Sequence, residues 1–134
     1  MVAEKDSLFQ LVLPEDVVMV RHAVRQWASE LGFGLVDQTK LVTAASELAR
    51  NAVTHGGGGR ARIEMVASAR RKGLKVTFED HGPGIADVSQ AMKDGYSTGG
   101  GLGLGLGGAK RLTDEFGIES KPGEGTQVWF IRWK

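Results

Sequence analysis

Gly99-Gly100-Gly101-Leu102-Gly103-Leu104-Gly105-Leu106-Gly107-Gly108 runs straight into Ala109-Lys110-Arg111-Leu112. Seven of the ten residues in that run lack a side chain, so the backbone can take positive φ and approach a ligand closely. Ordering such a stretch costs conformational entropy that an ordinary connection has no reason to incur. Leu106, Ala109 and Leu112, with Lys110 and Arg111 between them, have helical spacing and predict a helix. Glycine backbone feeding a helix N-terminus presents free N–H groups and the positive end of a dipole, which suits a phosphate. A flexible linker fits less well, because linkers favour serine and polar residues over three regularly spaced leucines.

The rest of the chain frames that site. A length of 134 residues predicts one domain, 1–134, with a single core. Hydrophobic residues at 41% and charged residues at 25% are the profile of a soluble globular protein. Lys plus Arg number 17 against 16 Asp plus Glu, a net charge of +1, which gives no electrostatic reason to expect nucleic acid or membrane as partner. Arg132 and Lys134 near the C-terminus read as solvated charges. The absence of cysteine excludes disulfides, thiolate catalysis and Cys-ligated metals, and fits a reducing cytoplasm. No apolar run approaches the roughly 20 residues of a membrane span, and no signal-peptide core opens the chain. A cytoplasmic location is the expectation.

Apolar residues at Val17, Val20, Val24, Trp27, Ala28 and Leu31 predict a helix over 15–31, started by Pro14 and stopped by Gly32. A second helix is predicted from Asp37, as N-cap, to His55, where Gly56 to Gly59 end it. Strands are predicted at 8–13, 62–69, 74–79, 116–120 and 127–133, with a short helix at 88–92. Lys72-Gly73 reads as a hairpin turn, and the segment from Lys121 to Gly125 as the last one. Hairpin-paired strands with helices gathered separately predict an α+β fold. Its form is a two-layer sandwich with a mixed, mostly antiparallel sheet and the helices on one face.

Three elements carry candidate chemistry. Thr43, Glu47, Asn51 and His55 recur every four residues, one polar stripe on a helix whose other sides are small and apolar. A carboxylate can take a proton, and a neutral amide one turn on can complete the shell of a Mg²⁺ ion held mostly by water and phosphate. Glu79-Asp80-His81-Gly82-Pro83-Gly84-Ile85 ends a strand, so Asp80 is fixed in a backbone that a flat ring can approach. Gly123-Glu124-Gly125-Thr126 makes a tight turn into the last strand, where Thr126 can hydrogen-bond a neighbour.

In this order, Glu47…Asn51, Asp80-x-Gly82-x-Gly84, the glycine run and Gly123-x-Gly125-Thr126 resemble the N, G1, G2 and G3 boxes of the Bergerat-type ATP-binding fold. That superfamily includes histidine kinases, gyrase and the anti-sigma-factor serine kinases. Within it, Glu47-Leu48-Ala49-Arg50-Asn51, Asp94-Gly95-Tyr96-Ser97-Thr98 and the run from Gly107 to Phe116 are similar to the serine/threonine switch kinases of the bacterial stressosome. The resemblance implies ATP and Mg²⁺ as cofactors. It implies Asp80 on the adenine amine with Thr126 supporting it, Asn51 on Mg²⁺, and Glu47 as general base near the γ-phosphate. Gly82 and Gly84 would shape the adenine site. Gly101, Gly103, Gly105, Leu106 and Gly107 would form the ATP lid and phosphate cradle. The anti-sigma-factor relatives often carry an arginine in the lid. Here the lid is uncharged until Lys110, so backbone amides, Mg²⁺ and Lys110 are the candidates for neutralising the phosphoryl group.

The implied substrates are STAS-domain antagonist and scaffold proteins, and the implied released-state partner is a PP2C-type phosphatase. The alternative is a nucleotide-gated binding regulator, in which ATP creates a partner surface with little or no catalysis. Two other motif readings fail. Gly103-x-Gly105-x-x-Gly108 lacks the preceding strand a dinucleotide site requires, and Lys110 is followed by Arg111 where a P-loop needs Ser or Thr. His22 reads as a surface residue, and His55 and His81 lack a third ligand for zinc.

Overall fold

Pro14 and Gly32 bracket the first helix as their chemistry requires. The computed structural model describes residues 1–92 and 105–134, and α1 spans Pro14–Leu31. Gly32 ends it with φ 91°, a left-handed conformation that glycine adopts freely. Asp16 secures the start: its carboxylate accepts from the N–H groups of Leu13 at 2.8 Å and Val12 at 2.9 Å. Those two bonds, Leu13's the stronger, hold the carboxyl below the usual carboxylate range against a small effect of burial.

The helix α2 spans Leu35–Thr54 and starts from Gly34, not from Asp37 as the sequence suggests. Asp37 lies in the first turn, and its carboxylate is turned instead to Arg132. The strands are β1 (Val2–Leu11), β2 (Gly59–Ser68), β3 (Arg71–Asp80), β4 (Glu115–Lys121) and β5 (Gly125–Trp133). Two short helices, α3 (Val88–Ala91) and α4 (Leu106–Arg111), precede β4.

The β2–β3 turn is at Ala69-Arg70, with Ala69 at φ 54°, while the Lys72-Gly73 pair predicted to turn lies within the strand. Gly73 is there for another reason: a Cβ on it would sit 2.8 Å from Cε3 of Trp133, whose ring lies across it.

The strand order is β1-β2-β3-β5-β4, and each of the four pairings is antiparallel. The register of β1 on β2 shifts between Ala3 and Lys5. Helices α1 and α2 pack on one face of this sheet. Between the layers lie Val20, Val24 and Trp27 of α1, Leu41, Ala45 and Leu48 of α2, and Ile63, Leu74, Val76, Phe78 and Phe130 from the strands. The opposite face has a smaller apolar patch, with Ile131 and Val66 buried beside Trp129 and Trp133. Lys75 and Arg71 lie over those two indoles, at 5.1 and 4.9 Å.

Candidate functional site

Antiparallel pairing places Asp80, at the end of β3, directly opposite Thr126, at the start of β5. The second half of α2 crosses the same end of the sheet, and the loop after β3 and the start of α4 close the remaining sides. The resulting cleft has a volume of about 460 Å³. Asn51, Asp80, Gly84, Leu106 and Thr126 all line it, so five residues read from four separate motifs meet at one place. Its apolar walls are Leu48, Phe78, Ile85 and Val128. Apolar walls with a carboxylate and a hydroxyl at one end suit a purine ring.

The glycines around Asp80 are there because neighbouring atoms leave no space for a side chain. Oδ1 of Asp80 accepts the Gly82 N–H at 2.9 Å. A Cβ on Gly82 would lie 2.6 Å from the Gly56 Cα, and one on Gly56 would lie 2.3 Å from Cγ of Asp80. Gly84, at φ 75°, passes so near β4 that a Cβ would meet the Lys121 carbonyl at 2.2 Å.

Ser120 fastens this loop to the sheet. Its hydroxyl accepts from the Ile85 N–H at 2.7 Å, donates to the Gly125 carbonyl at 3.1 Å, and lies 2.8 Å from Thr126 Oγ1. A hydroxyl has one proton, so with Gly125 as its acceptor Ser120 takes the Thr126 proton. Thr126 is thereby left as an acceptor for a ligand.

Glu47 is not part of the cleft lining. It lies one turn before Asn51, with Oε1 taking the Arg50 guanidinium at 3.0 Å. Its other oxygen lies beside the start of α4: a Cβ on Gly105, at φ 67°, would be 2.5 Å from Oε2. Gly107 is half-buried in the first turn of α4, and Lys110 is exposed in the last. Neither lines the cleft. Gly101 and Gly103, with the rest of the predicted lid up to Leu104, lie outside the described residues.

Of the glycine and polar residues that line the cleft, Gly56, Asp87 and Gln90 carry no functional signal in the sequence. The Gly56 to Gly59 run was legible only as a helix stop, since its contact with Asp80 comes from the fold. His55, last of the polar stripe, lines the cleft, while His81 is exposed and does not. Among the described residues no three His, Cys, Asp or Glu side chains are grouped to cage an ion. A single neutral amide, Asn51, suits magnesium held mainly by phosphate and water. The donor set therefore fits a metal that arrives with a nucleotide.

Residues 12–132 match the family described as histidine kinase-like ATPase domain. The chain belongs to that family. It is 50% identical over 127 residues to serine/threonine-protein kinase RsbT of Bacillus subtilis (strain 168), an alignment covering 95% of this chain and 96% of that one. It is 32% identical over 113 residues to the anti-sigma F factor of Clostridium novyi (strain NT), covering 81% of this chain and 79% of the other. The crystal structure of the RsbU and RsbW domains of a Mycobacterium tuberculosis protein superposes with TM-score 0.67 at 21% identity. That match covers 97% of this chain and 33% of the longer one, and it speaks to the fold alone. Half identity over nearly all of both chains places this histidine kinase-like ATPase with the protein serine/threonine kinases. Among its described residues no helix is long and apolar enough to cross a membrane.

Proposed function

We propose that this chain uses ATP and magnesium to phosphorylate STAS-domain antagonist and scaffold proteins on serine or threonine. Once released from them, it binds and activates a PP2C-type phosphatase, so that phosphorylation switches its partner. The observation that carries the catalytic part is the arrangement on α2. Asn51 lines the cleft, and one turn earlier the Glu47 carboxylate lies against the start of α4.

The adenine is assigned to the Asp80–Thr126 end, where a carboxylate receives the exocyclic amine. The phosphates are assigned to the other end, towards Asn51 and the backbone of Gly105, Leu106 and Gly107. Magnesium, when bound there by Asn51, supplies charge neutralisation across the phosphate oxygens. Glu47 takes the proton of the substrate hydroxyl as its oxygen forms the new bond to the γ-phosphorus. The bond from that phosphorus to the bridging oxygen breaks, and ADP leaves with the electron pair. Arg50, on the other Glu47 oxygen, holds the carboxylate in its orientation.

Glu47→Gln keeps the shape and removes the basic oxygen. It should bind Mg-ATP as the wild type does and lose roughly 10²- to 10⁴-fold in single-turnover transfer to a STAS-domain partner. A variant within a factor of two of wild type removes Glu47 from the base role.

The relationship to anti-sigma F factors supports the second reading, a nucleotide-gated binder. Incubation with ATP labelled at the γ-phosphate and the purified STAS partner separates the two, since a binder leaves the partner unlabelled.

A further inference from the structure

Arg132 stands on the helix-side face of β5, two residues after buried Phe130 and opposite buried Leu74 on β3. Its side chain is only 18% exposed. Nη2 donates to Asp37 Oδ1 at 2.7 Å, and Nη1 donates to the Leu112 carbonyl at 3.1 Å. Nε is buried with no partner among the described residues. A solvated arginine near a terminus does not bury an N–H without an acceptor, so the two outer nitrogens decide where this side chain lies.

Those two nitrogens reach two different helices. Asp37 is in the first turn of α2, the helix that carries Glu47 and Asn51. Leu112 is the C-cap of α4, the helix that starts at Gly105 beside the Glu47 carboxylate. One guanidinium therefore joins the sheet, α2 and α4. The last carbonyls of a helix lack partners within it, and a cation there is favourable. A helix as short as α4, Leu106–Arg111, has little stability of its own and depends on what holds its ends.

Arg132 does not touch the nucleotide cleft. It is six residues from Thr126, about 20 Å along an extended strand. Asp37 is ten residues before Glu47, about 15 Å along α2.

We propose that Arg132 is a positioning residue for phosphoryl transfer. Through Asp37 and the Leu112 carbonyl it sets α4 against α2, and so sets the backbone at Gly105 and Leu106 relative to Glu47 and Asn51. This rests on the kinase reading above. Its signature is selective: the phosphate end of the cleft depends on Arg132, while the Asp80–Thr126 end, held by sheet pairing and Ser120, does not.

The test compares Arg132→Leu, Arg132→Lys and Asp37→Asn with the wild type. In nucleotide-free protein, hydrogen exchange at residues 106–112 should rise in Arg132→Leu, with protection in β3 and β5 retained. Calorimetric affinity for Mg-ADP should stay within about twofold, while affinity for Mg-ATP and single-turnover transfer fall about tenfold, the worth of a charged hydrogen bond. Arg132→Lys should recover part of the loss, since an ammonium lacks the planar fork that serves both acceptors at once. Unchanged exchange at 106–112 overturns the anchoring. Equal losses for ATP and ADP overturn the selective role and leave a merely structural one. Should Arg132→Leu fail to fold, Asp37→Asn, which keeps the guanidinium on Leu112, must give the same ATP-selective loss, and its absence overturns the proposal. A wild-type chain that binds no nucleotide overturns the kinase reading and the nucleotide half of this proposal, and the exchange arm then decides the anchoring separately.

Discussion

Asp80 and Asn51 both line one cleft, and each is open to a single-residue test. Guanine presents a carbonyl oxygen where adenine presents an amine, so GTP would set an acceptor against the Asp80 carboxylate. An unpaired buried charged group costs on the order of 1–3 kcal/mol, so the wild type should prefer ATP roughly 10- to 100-fold. Asp80→Asn can turn an NH₂ to the guanine oxygen and should narrow that gap in competition binding. Equal affinity of the wild type for both nucleotides would take Asp80 out of the base site. Asn51→Ala removes the one amide that lines the cleft from α2. It should abolish magnesium-dependent nucleotide binding in a calorimetric titration while circular dichroism is unchanged. At this scale the sequence was readable where the constraint is local. The Asp80-x-Gly82-x-Gly84 spacing carries its own geometry, because the Gly82 N–H bonds back to the carboxylate two residues earlier. Gly56 and Arg132 were not readable, since their partners lie 24 and 95 residues away in sequence and meet only through the fold.

The elements divide in the same way. Helix α1 could be drawn from its apolar spacing, its proline and its glycine, because each acts within a turn or two. Strand β1 is legible in the sequence only from Leu8 onward, as its first part, Val2 to Ser7, sits at the sheet edge and has no buried side to write an alternation. Lys72-Gly73 misled because glycine serves two purposes. There it clears space for Trp133, and the turn falls to a residue of no special type, Ala69. The start of α1 gives a pH-dependent test. The Asp16 carboxyl is lowered in the folded chain, so the stability it adds is complete above the ordinary value of 3.8. That stability is lost as pH falls through the lower folded value. Asp16→Ala should therefore melt below the wild type at neutral pH, and the two curves should converge in acid. A gap in melting temperature that persists at the acid end would contradict this account of the cap.

For the whole molecule, the α+β sandwich followed from the sequence because hairpin-paired strands and two long amphipathic helices leave few other ways to cover one sheet face. The order β1-β2-β3-β5-β4 was not accessible, since placing β5 between β3 and β4 depends on non-local pairing. The core between the layers is continuous, so a cavity in it should weaken the domain as a unit. Leu41, fully buried on α2, is a suitable probe. Leu41→Ala should cost about 2–5 kcal/mol in denaturant unfolding, with the m-value unchanged. A loss below about 1 kcal/mol would mean that the layers repack around the gap.

The outermost strand has a further consequence, for how the protein behaves when concentrated. Among the described strands β1 has a neighbour only on the β2 side, which leaves the outward N–H and C=O groups of a ten-residue strand open to any other extended chain. The register shift between Ala3 and Lys5 kinks that edge, and Glu4, Lys5 and Asp6 are tethered by charge to Lys72, Glu30 and Arg62. These exposed pairs add little to stability, and salt weakens them further. Charges on an edge make it a poor template, so the Glu4-Lys5-Asp6 triplet works against pairing between neighbouring molecules along β1. A tag or substitution that neutralises it would be felt in solubility before it was felt in activity.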